Sequence, residues 1–249
     1  MIRGLYTAAA GMLSNLMRHE SIVHNLANVQ TTGYKADRAT LTDFPSLLLH
    51  EIRGGESGPE IGRAGTGVSM AALVTDFSVG AFQLTDHPYD FAVGSDGFFQ
   101  VQTPDGVRYT RDGRFHRDSD GRLVTADGYL VMGSNGPISL PDGQLTVSTR
   151  GELFVEDALV GQLALVRFDD TADLLKDGQT TFVNQQVQPA DIPAEEAEIY
   201  QGYLEDSNVD TAQTVTEMTS VLRAYQASQR LVQFQDQINA RTVGELGRV

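Results

Sequence analysis

The stretch Asp96-Gly97-Phe98-Phe99-Gln100-Val101-Gln102-Thr103-Pro104-Asp105-Gly106-Val107-Arg108-Tyr109-Thr110-Arg111-Asp112-Gly113 sets the reading of the middle of the chain. Three Asp-Gly pairs fall inside it, and the pair returns at Asp120-Gly121, Asp127-Gly128 and Asp142-Gly143. Both residues tolerate positive φ, so the pair is a strong turn signal. Short β-prone runs lie between the turns, at residues 98–101, 107–110, 123–125 and 129–132. Regular turns joined by short strands predict an antiparallel meander, sandwich or small barrel. Further strands are expected over residues 145–147, 153–155 and 162–168. Residues 45–66, with Pro45, Gly54-Gly55, Gly58-Pro59 and Gly62, read as a loop or linker, and residues 185–196, with Pro189 and Pro193, as a second.

Outward from this middle, both ends turn helical. Ile2, Leu5, Ala9, Met12, Leu16, His19, Val23 and Leu26 follow in alternating steps of three and four. That spacing places them on one stripe with a coiled-coil-like seam. Gly4 and Gly11 each lower the intrinsic helix propensity by about 1 kcal/mol. Thr31-Thr32-Gly33 is a turn signal, so the helix should stop near Asn28. At the other end, Asp210 with Gln213 and Thr214 with Glu217 resemble capping boxes. Val215, Met218, Leu222, Tyr225 and Val232 form one stripe, and Val221, Ala224, Leu231 and Ile238 form another beside it. So broad an apolar face suits a helix that meets both the first helix and neighbouring subunits better than one closing its own core.

Composition excludes several classes. The 249 residues carry 33 acidic and 18 basic side chains, a net charge of −15, with no cysteine and no tryptophan. A phosphate-binding protein needs a basic patch, and this chain argues against nucleic acid and anionic lipid alike. Absent cysteine removes disulfides, thiolate metal sites and a cysteine nucleophile. No apolar run approaches the length of a membrane span, so no membrane insertion is expected. An apolar signal-peptide core is also missing near Met1, because Thr7, Ser14 and Asn15 interrupt it. Basic charge is almost all arginine, 16 against Lys35 and Lys176, which reads as a compositional habit. Residues 151–249 hold 17 acids and 6 bases, so the C-terminal part repels itself more strongly.

Local chemistry is sparse. Asp118-Ser119-Asp120-Gly121 looks like a calcium loop, but an EF-hand would need glycine where Leu123 stands and glutamate where Tyr129 stands. A hairpin turn is the better reading. His19, His24, His50, His87 and His116 show no metal spacing. Asp169, Asp170 and Asp173 read as a solvated loop rather than an acid–base site. No catalytic, metal or cofactor site is expected. Asn25, Asn28, Thr31, Thr32, Gly33, Tyr34 and Lys35 form the densest polar cluster, and its side chains can satisfy the backbone groups left open where a helix ends.

The residues His24-Asn25-Leu26-Ala27-Asn28-Val29-Gln30-Thr31-Thr32-Gly33-Tyr34-Lys35 resemble the signature of bacterial flagellar rod and hook proteins. Residues 1–12 look like the start of the rod branch. Asp90-Phe91-Ala92-Val93, Gly97-Phe98-Phe99-Gln100-Val101 and Tyr109-Thr110-Arg111-Asp112-Gly113 agree with the family's middle. Gln201-Gly202-Tyr203-Leu204-Glu205, Ser207-Asn208-Val209-Asp210 and Arg223-Ala224-Tyr225 agree with its end. The family's usual asparagine pair is His24-Asn25 here. Residues 133–141 and 160–166 resemble the proximal-rod protein, with the distal-rod protein as the near alternative; the hook protein usually carries extra β domains.

The resemblance implies an α+β fold in which N- and C-terminal helices pair as a coiled-coil-like layer around a central, mainly antiparallel β domain. Residues 1–35 and 200–249 would form the helical assembly domain, 36–70 an extended linker and 71–199 the β domain. Leu5, Met12, Leu16, Val23 and Leu26, with Asn25 and Asn28, would serve subunit assembly from the first helix. Met218, Leu222, Tyr225 and Val232 would serve it from the last. It also implies a non-enzymatic torque-transmitting rod subunit that associates with itself and with other rod and hook subunits. Such a subunit travels through the flagellar type III export apparatus without a cleaved signal and spans the periplasm in the basal body. A β-sandwich binding module and a peptidoglycan hydrolase are the rival readings from other classes.

Overall fold

The computed structural model describes residues 2–53, 56–65, 67–171, 174–184, 190–193 and 196–246. Gly54-Gly55, Asp173 and most of the anticipated loop at 185–196 lie outside the described residues. The chain divides into two compact units. One holds residues 1–26, 37–74 and 211–249; the other holds 27–36 and 75–210. Residues 27–35 and 200–210, read from sequence as part of the helical domain, thus lie in the β unit.

In the helical unit, α1 runs Ile2–Ala27 and ends one residue before Asn28, where the sequence stops it. Strands β1 (Asp37–Asp43) and β4 (Val68–Thr75) pair, and β2 (Leu47–Arg53) and β3 (Glu56–Ala64) form an antiparallel hairpin. The segment read as a linker is therefore largely strand. Gly58, Pro59 and Gly62 fall where the register of this hairpin is irregular, with shifts on either side of His50. Polar side chains fasten α1 to these strands. Ser14 Oγ donates to the Val68 carbonyl at 3.1 Å, and Ser21 Oγ donates to the Asp37 carbonyl at 2.9 Å.

The β unit carries β5 (Phe82–Leu84), β6 (Phe91–Val93), β7 (Phe98–Thr103), β8 (Gly106–Thr110), β9 (Phe115–Arg117), β10 (Leu123–Thr125) and β11 (Leu130–Gly133). Next come β12 (Gly136–Pro137), β13 (Leu145–Val147), β14 (Glu152–Val155), β15 (Ala158–Gln162), β16 (Leu165–Arg167) and β17 (Leu174–Lys176). It closes with β18 (Thr181–Asn184), β19 (Ala190–Asp191), β20 (Ile199–Gln201) and β21 (Tyr203–Glu205), and α2 (Thr211–Leu246) then begins directly after Asp210, the first predicted cap. The main sheet runs β17-β18-β8-β7-β11-β10-β9, and β16 also pairs with β7. Its pairings are antiparallel, as the turn pattern predicts. Strands β13-β14-β15 form a smaller antiparallel sheet.

Strand β7 organises the packing because both of its faces are covered. Successive side chains on a strand point to opposite faces. Phe99 and Val101 join a core with Phe91, Phe115, Leu123, Val131 and Leu153, whereas Phe98 joins a second core with Phe168, Leu174 and Phe182. Edge-to-face rings hold that second core, with Phe98 to Phe168 at 5.7 Å and Phe98 to Phe77 at 5.6 Å. One predicted turn is not a turn. At Asp112-Gly113 the chain passes so close to β6 that a side chain on Gly113 would collide with the Phe91 carbonyl. The glycine is required there by space.

Candidate functional site

The helices of the helical unit touch in antiparallel fashion. Gly4 lies against Gln235, Gly11 against Ser228, and Arg18 forms an ion pair with Glu217. The α1 positions in these contacts are one heptad apart. They fall one residue before Leu5 and Met12 of the expected seam, about 100° around the helix. The covered stripe of α2 runs through Met218, Val221, Tyr225, Ser228, Val232, Gln235 and Asn239. Apolar Met218, Val221, Tyr225 and Val232 share this stripe with polar Ser228, Gln235 and Asn239, and Gly4 and Gly11 let α2 come close.

Much of the apolar surface is left outside. On α1, Leu16 and Val23 are each 42% exposed, alongside Tyr6, Leu13 and Met17. On α2, Leu222 is exposed, with Val215, Leu231, Ile238, Phe234 and Val243. Leu5, Met12, Leu26, Met218, Tyr225 and Val232 are half-buried. Asn25 is buried: its Nδ2 donates to the Asp37 carbonyl at 2.8 Å, and its Oδ1 accepts from the Asp37 amide at 2.9 Å. Asn28 closes the turn after α1, its carbonyl accepting from the Thr31 amide at 3.1 Å.

In the β unit, the polar cluster after α1 docks onto an ionic centre that sequence reasoning missed. Gly33 has φ +67°, and its amide donates to the Glu205 carbonyl at 2.7 Å. The turn aims Lys35 inward, where its Nζ donates to Glu205 Oε1 at 2.5 Å and to the Ser78 carbonyl at 2.7 Å. The Gly80 amide donates to the same carboxylate oxygen at 2.8 Å. Arg111 Nη1 lies 3.5 Å from Glu205 Oε2, donates to the Ser95 carbonyl, and its guanidinium sits 4.7 Å over the Phe98 ring. The Lys35, Arg111 and Glu205 side chains are at most 1% exposed. Two cations therefore share one carboxylate out of solvent. Burial pushes the Lys35 amine and the Arg111 guanidinium below their ordinary values, and Glu205 opposes it in both.

Two neighbouring contacts finish the arrangement. Lys176 Nζ donates to the Lys35 carbonyl at 2.7 Å and stands 3.8 Å over the Tyr34 ring. Thr32 Oγ1 donates to Asp112 Oδ1 at 2.8 Å, and burial holds the Asp112 carboxyl above the usual carboxylate range. The two lysines of a chain with 16 arginines meet at this centre, although 141 positions separate them in sequence. Elsewhere, a polar cleft of about 600 Å³ is lined by Thr31, Arg108, Asp112, Arg114, Asp127 and Asp177. Its arginines are engaged, Arg108 with Asp177 at 2.7 Å and Arg114 with Thr32 at 2.7 Å. The Asp118 carboxylate accepts from the Asp120 and Arg122 amides of its own turn. No helix among the described residues is long and apolar enough to cross a membrane.

Residues 92–155 match the flagellar hook protein FlgE/F/G D1 domain, and residues 200–244 match the flagellar basal body rod FlgEFG protein C-terminal family. The chain is 30% identical over 270 residues to the flagellar hook-basal body complex protein FlhO of Bacillus subtilis, with all of both chains covered. It is 34% identical over 259 residues to the flagellar basal-body rod protein FlgG of the same organism, covering 96% of this chain and 97% of the relative. It is 31% identical over 252 residues to the flagellar basal-body rod protein FlgF of Caulobacter vibrioides, again across both chains. With similarity from end to end, the chain belongs to the flagellar hook and basal-body rod protein family, a family of structural axial subunits.

Proposed function

We propose that this protein is a non-enzymatic subunit of the proximal rod, assembled by burying the outward apolar faces of α1 and α2 against neighbouring subunits. The observation that carries this is the apolar surface that the helices leave exposed. The covered stripe takes in only one side of α2, and Phe234 and Val243 remain 60% and 72% exposed. Burial of each such large side chain on a partner contributes about 1.5–3 kcal/mol. Leu16, Val23 and Leu222, 36–42% exposed, would contribute to this outer face, and Leu5, Met12, Leu26, Met218, Tyr225 and Val232 would form its half-covered margins. Asn25 and Asn28 act indirectly by fixing how α1 ends.

Support for the proximal branch comes from two segments that resemble it, residues 133–141 and 160–166. They lie together: Gly133 bridges Leu163, and the Ser134 amide donates to the Gln162 carbonyl at 3.0 Å. The distal rod is the second reading, and capture of neighbouring subunits from basal bodies separates the two. The subunit would pass through the type III export apparatus and sit in the periplasm-spanning part of the basal body, among other rod and hook subunits. The test replaces Leu16, Leu222 or Phe234 with Asp in the flagellated source cell. Loss of rods and swimming with the isolated variant still folded is expected. Full-length rods and normal swimming from all three variants would overturn the assignment.

A further inference from the structure

Three links join the chain entering the β unit to the chain leaving it. The Gly33 amide donates to the Glu205 carbonyl at 2.7 Å, Lys35 Nζ donates to Glu205 Oε1 at 2.5 Å, and the Ala36 amide donates to Asn208 Oδ1 at 2.8 Å. Each arm is also anchored inward. Lys35 reaches the Ser78 carbonyl, Glu205 accepts from the Gly80 amide, and Asn208 Nδ2 donates to the Asp76 carbonyl at 2.8 Å. Lys176 grips the Lys35 carbonyl and the Tyr34 ring from β17.

We propose that Lys35, Glu205, Arg111 and Lys176 form a mechanical lock that holds residues 27–36 and 203–210 together when the chain is loaded at either end of the β unit. Load applied at residue 27 or residue 210 reaches the three cross-links before it reaches the pairing of the central sheet. The links act in parallel, so each takes part of the force. The ionic one is screened from water, which would otherwise compete for its partners. The device belongs to the folded β unit itself and is testable without a flagellum.

The chain has no cysteine, so Ala27→Cys and Thr211→Cys place two unique handles on the full-length protein for pulling at constant load in an optical trap. Four proteins with these handles are compared: one without further change, Lys176→Met, Glu205→Gln, and Val131→Ala in the core away from the lock. Urea unfolding of each gives its stability at zero force. Glu205→Gln is expected to unfold at least about 100-fold faster under load, and by more than its urea stability accounts for, because it strands the partners of a buried ion pair within the lock. Lys176→Met is expected to unfold faster under load than its urea stability accounts for, whereas Val131→Ala follows its urea stability. Should the rates of all three variants under load track urea stability alone, the lock is refuted. Lys176→Met leaves Lys35, Arg111 and Glu205 in place, so it decides the matter by itself if Glu205→Gln does not fold: an unchanged rate under load rejects the proposal.

Discussion

Removing the anion of the buried cluster should cost far more than removing one of its cations. In Glu205→Gln, Lys35 and Arg111 remain side by side, each at most 1% exposed, with no carboxylate between them. Breaking a buried pair in this way costs about 3–5 kcal/mol. In Lys35→Met, Glu205 keeps the Gly80 amide at 2.8 Å and Arg111 at 3.5 Å, leaving one cation against one anion. The Ser78 carbonyl keeps Asn208 Nδ2 at 3.3 Å. What is lost is a charge-assisted bond, about 1.5–3 kcal/mol, offset in part because a desolvated ammonium is no longer buried. With a urea slope of about 2 kcal/mol/M, Glu205→Gln lowers the unfolding midpoint by roughly 2 M and Lys35→Met by about 1 M or less.

The same comparison has a pH signature. The Lys35 amine titrates lower folded than unfolded, where its ordinary value is 10.5. Between those two values the unfolded chain binds more protons, so this group makes stability rise with pH. Loss of Glu205 removes a contribution that raises the folded value, which widens the window. The deficit of Glu205→Gln should therefore shrink as pH climbs toward 10.5, measured as urea midpoints across pH and compared with Lys35→Met. Equal losses for the two variants, or a greater loss for Lys35→Met, would refute the charge accounting.

Gly33→Ala should destabilise strongly, because φ is +67° and an added Cβ would fall on the Asp112 amide and 2.6 Å from the Arg111 carbonyl carbon. Gly128→Ala, at φ +82° but with open space around it, should lose only the conformational part, about 1–2 kcal/mol, and paired urea titrations compare them. Asp112 is held above its ordinary 3.8 by burial, so between 3.8 and its folded value the native state binds more protons and its contribution falls as pH rises. Asp112→Asn, which keeps an oxygen to accept from Thr32, should flatten that part of the stability profile and be at least as stable at neutral pH, as acid-side unfolding curves would show. Leu231→Asp changes a residue that is 55% exposed, so isolated-protein stability should move by no more than about 0.5 kcal/mol while assembly into rods is lost.

Much of the β unit was legible because its turns announce themselves. Asp105-Gly106, Asp120-Gly121, Asp127-Gly128 and Asp142-Gly143 each place glycine at positive φ. The β14–β15 hairpin carried no such mark. It turns on Glu156 at φ 51° and Asp157 at φ 69°, two residues without glycine's licence, so β15 was not anticipated as a separate strand. The β2–β3 hairpin was hidden for the opposite reason, since glycine and proline there read as linker while the strands absorb them by shifting register. Helix spans were plain from periodicity, and of the apolar stripes Met218, Tyr225 and Val232 are half-buried and Val221 is buried, whereas Leu16, Val23 and Leu222 stay partly exposed. The share of Gly4, Gly11, Ser228 and Gln235 in the helix contact is not marked by hydrophobicity.

The order of elements, two helical ends around an antiparallel middle, and the family can be read from the amino-acid sequence. Spacing and turn chemistry act over a few residues and leave a local record. That Lys35 and Glu205, separated by 170 positions, meet in a closed site, and that the segment after α1 belongs to the β unit, follows from the folded arrangement alone. A lysine and a glutamate so far apart carry no mutual mark along the chain. Their meaning arises when folding excludes water and leaves two cations to share one carboxylate, a condition set by the whole β unit.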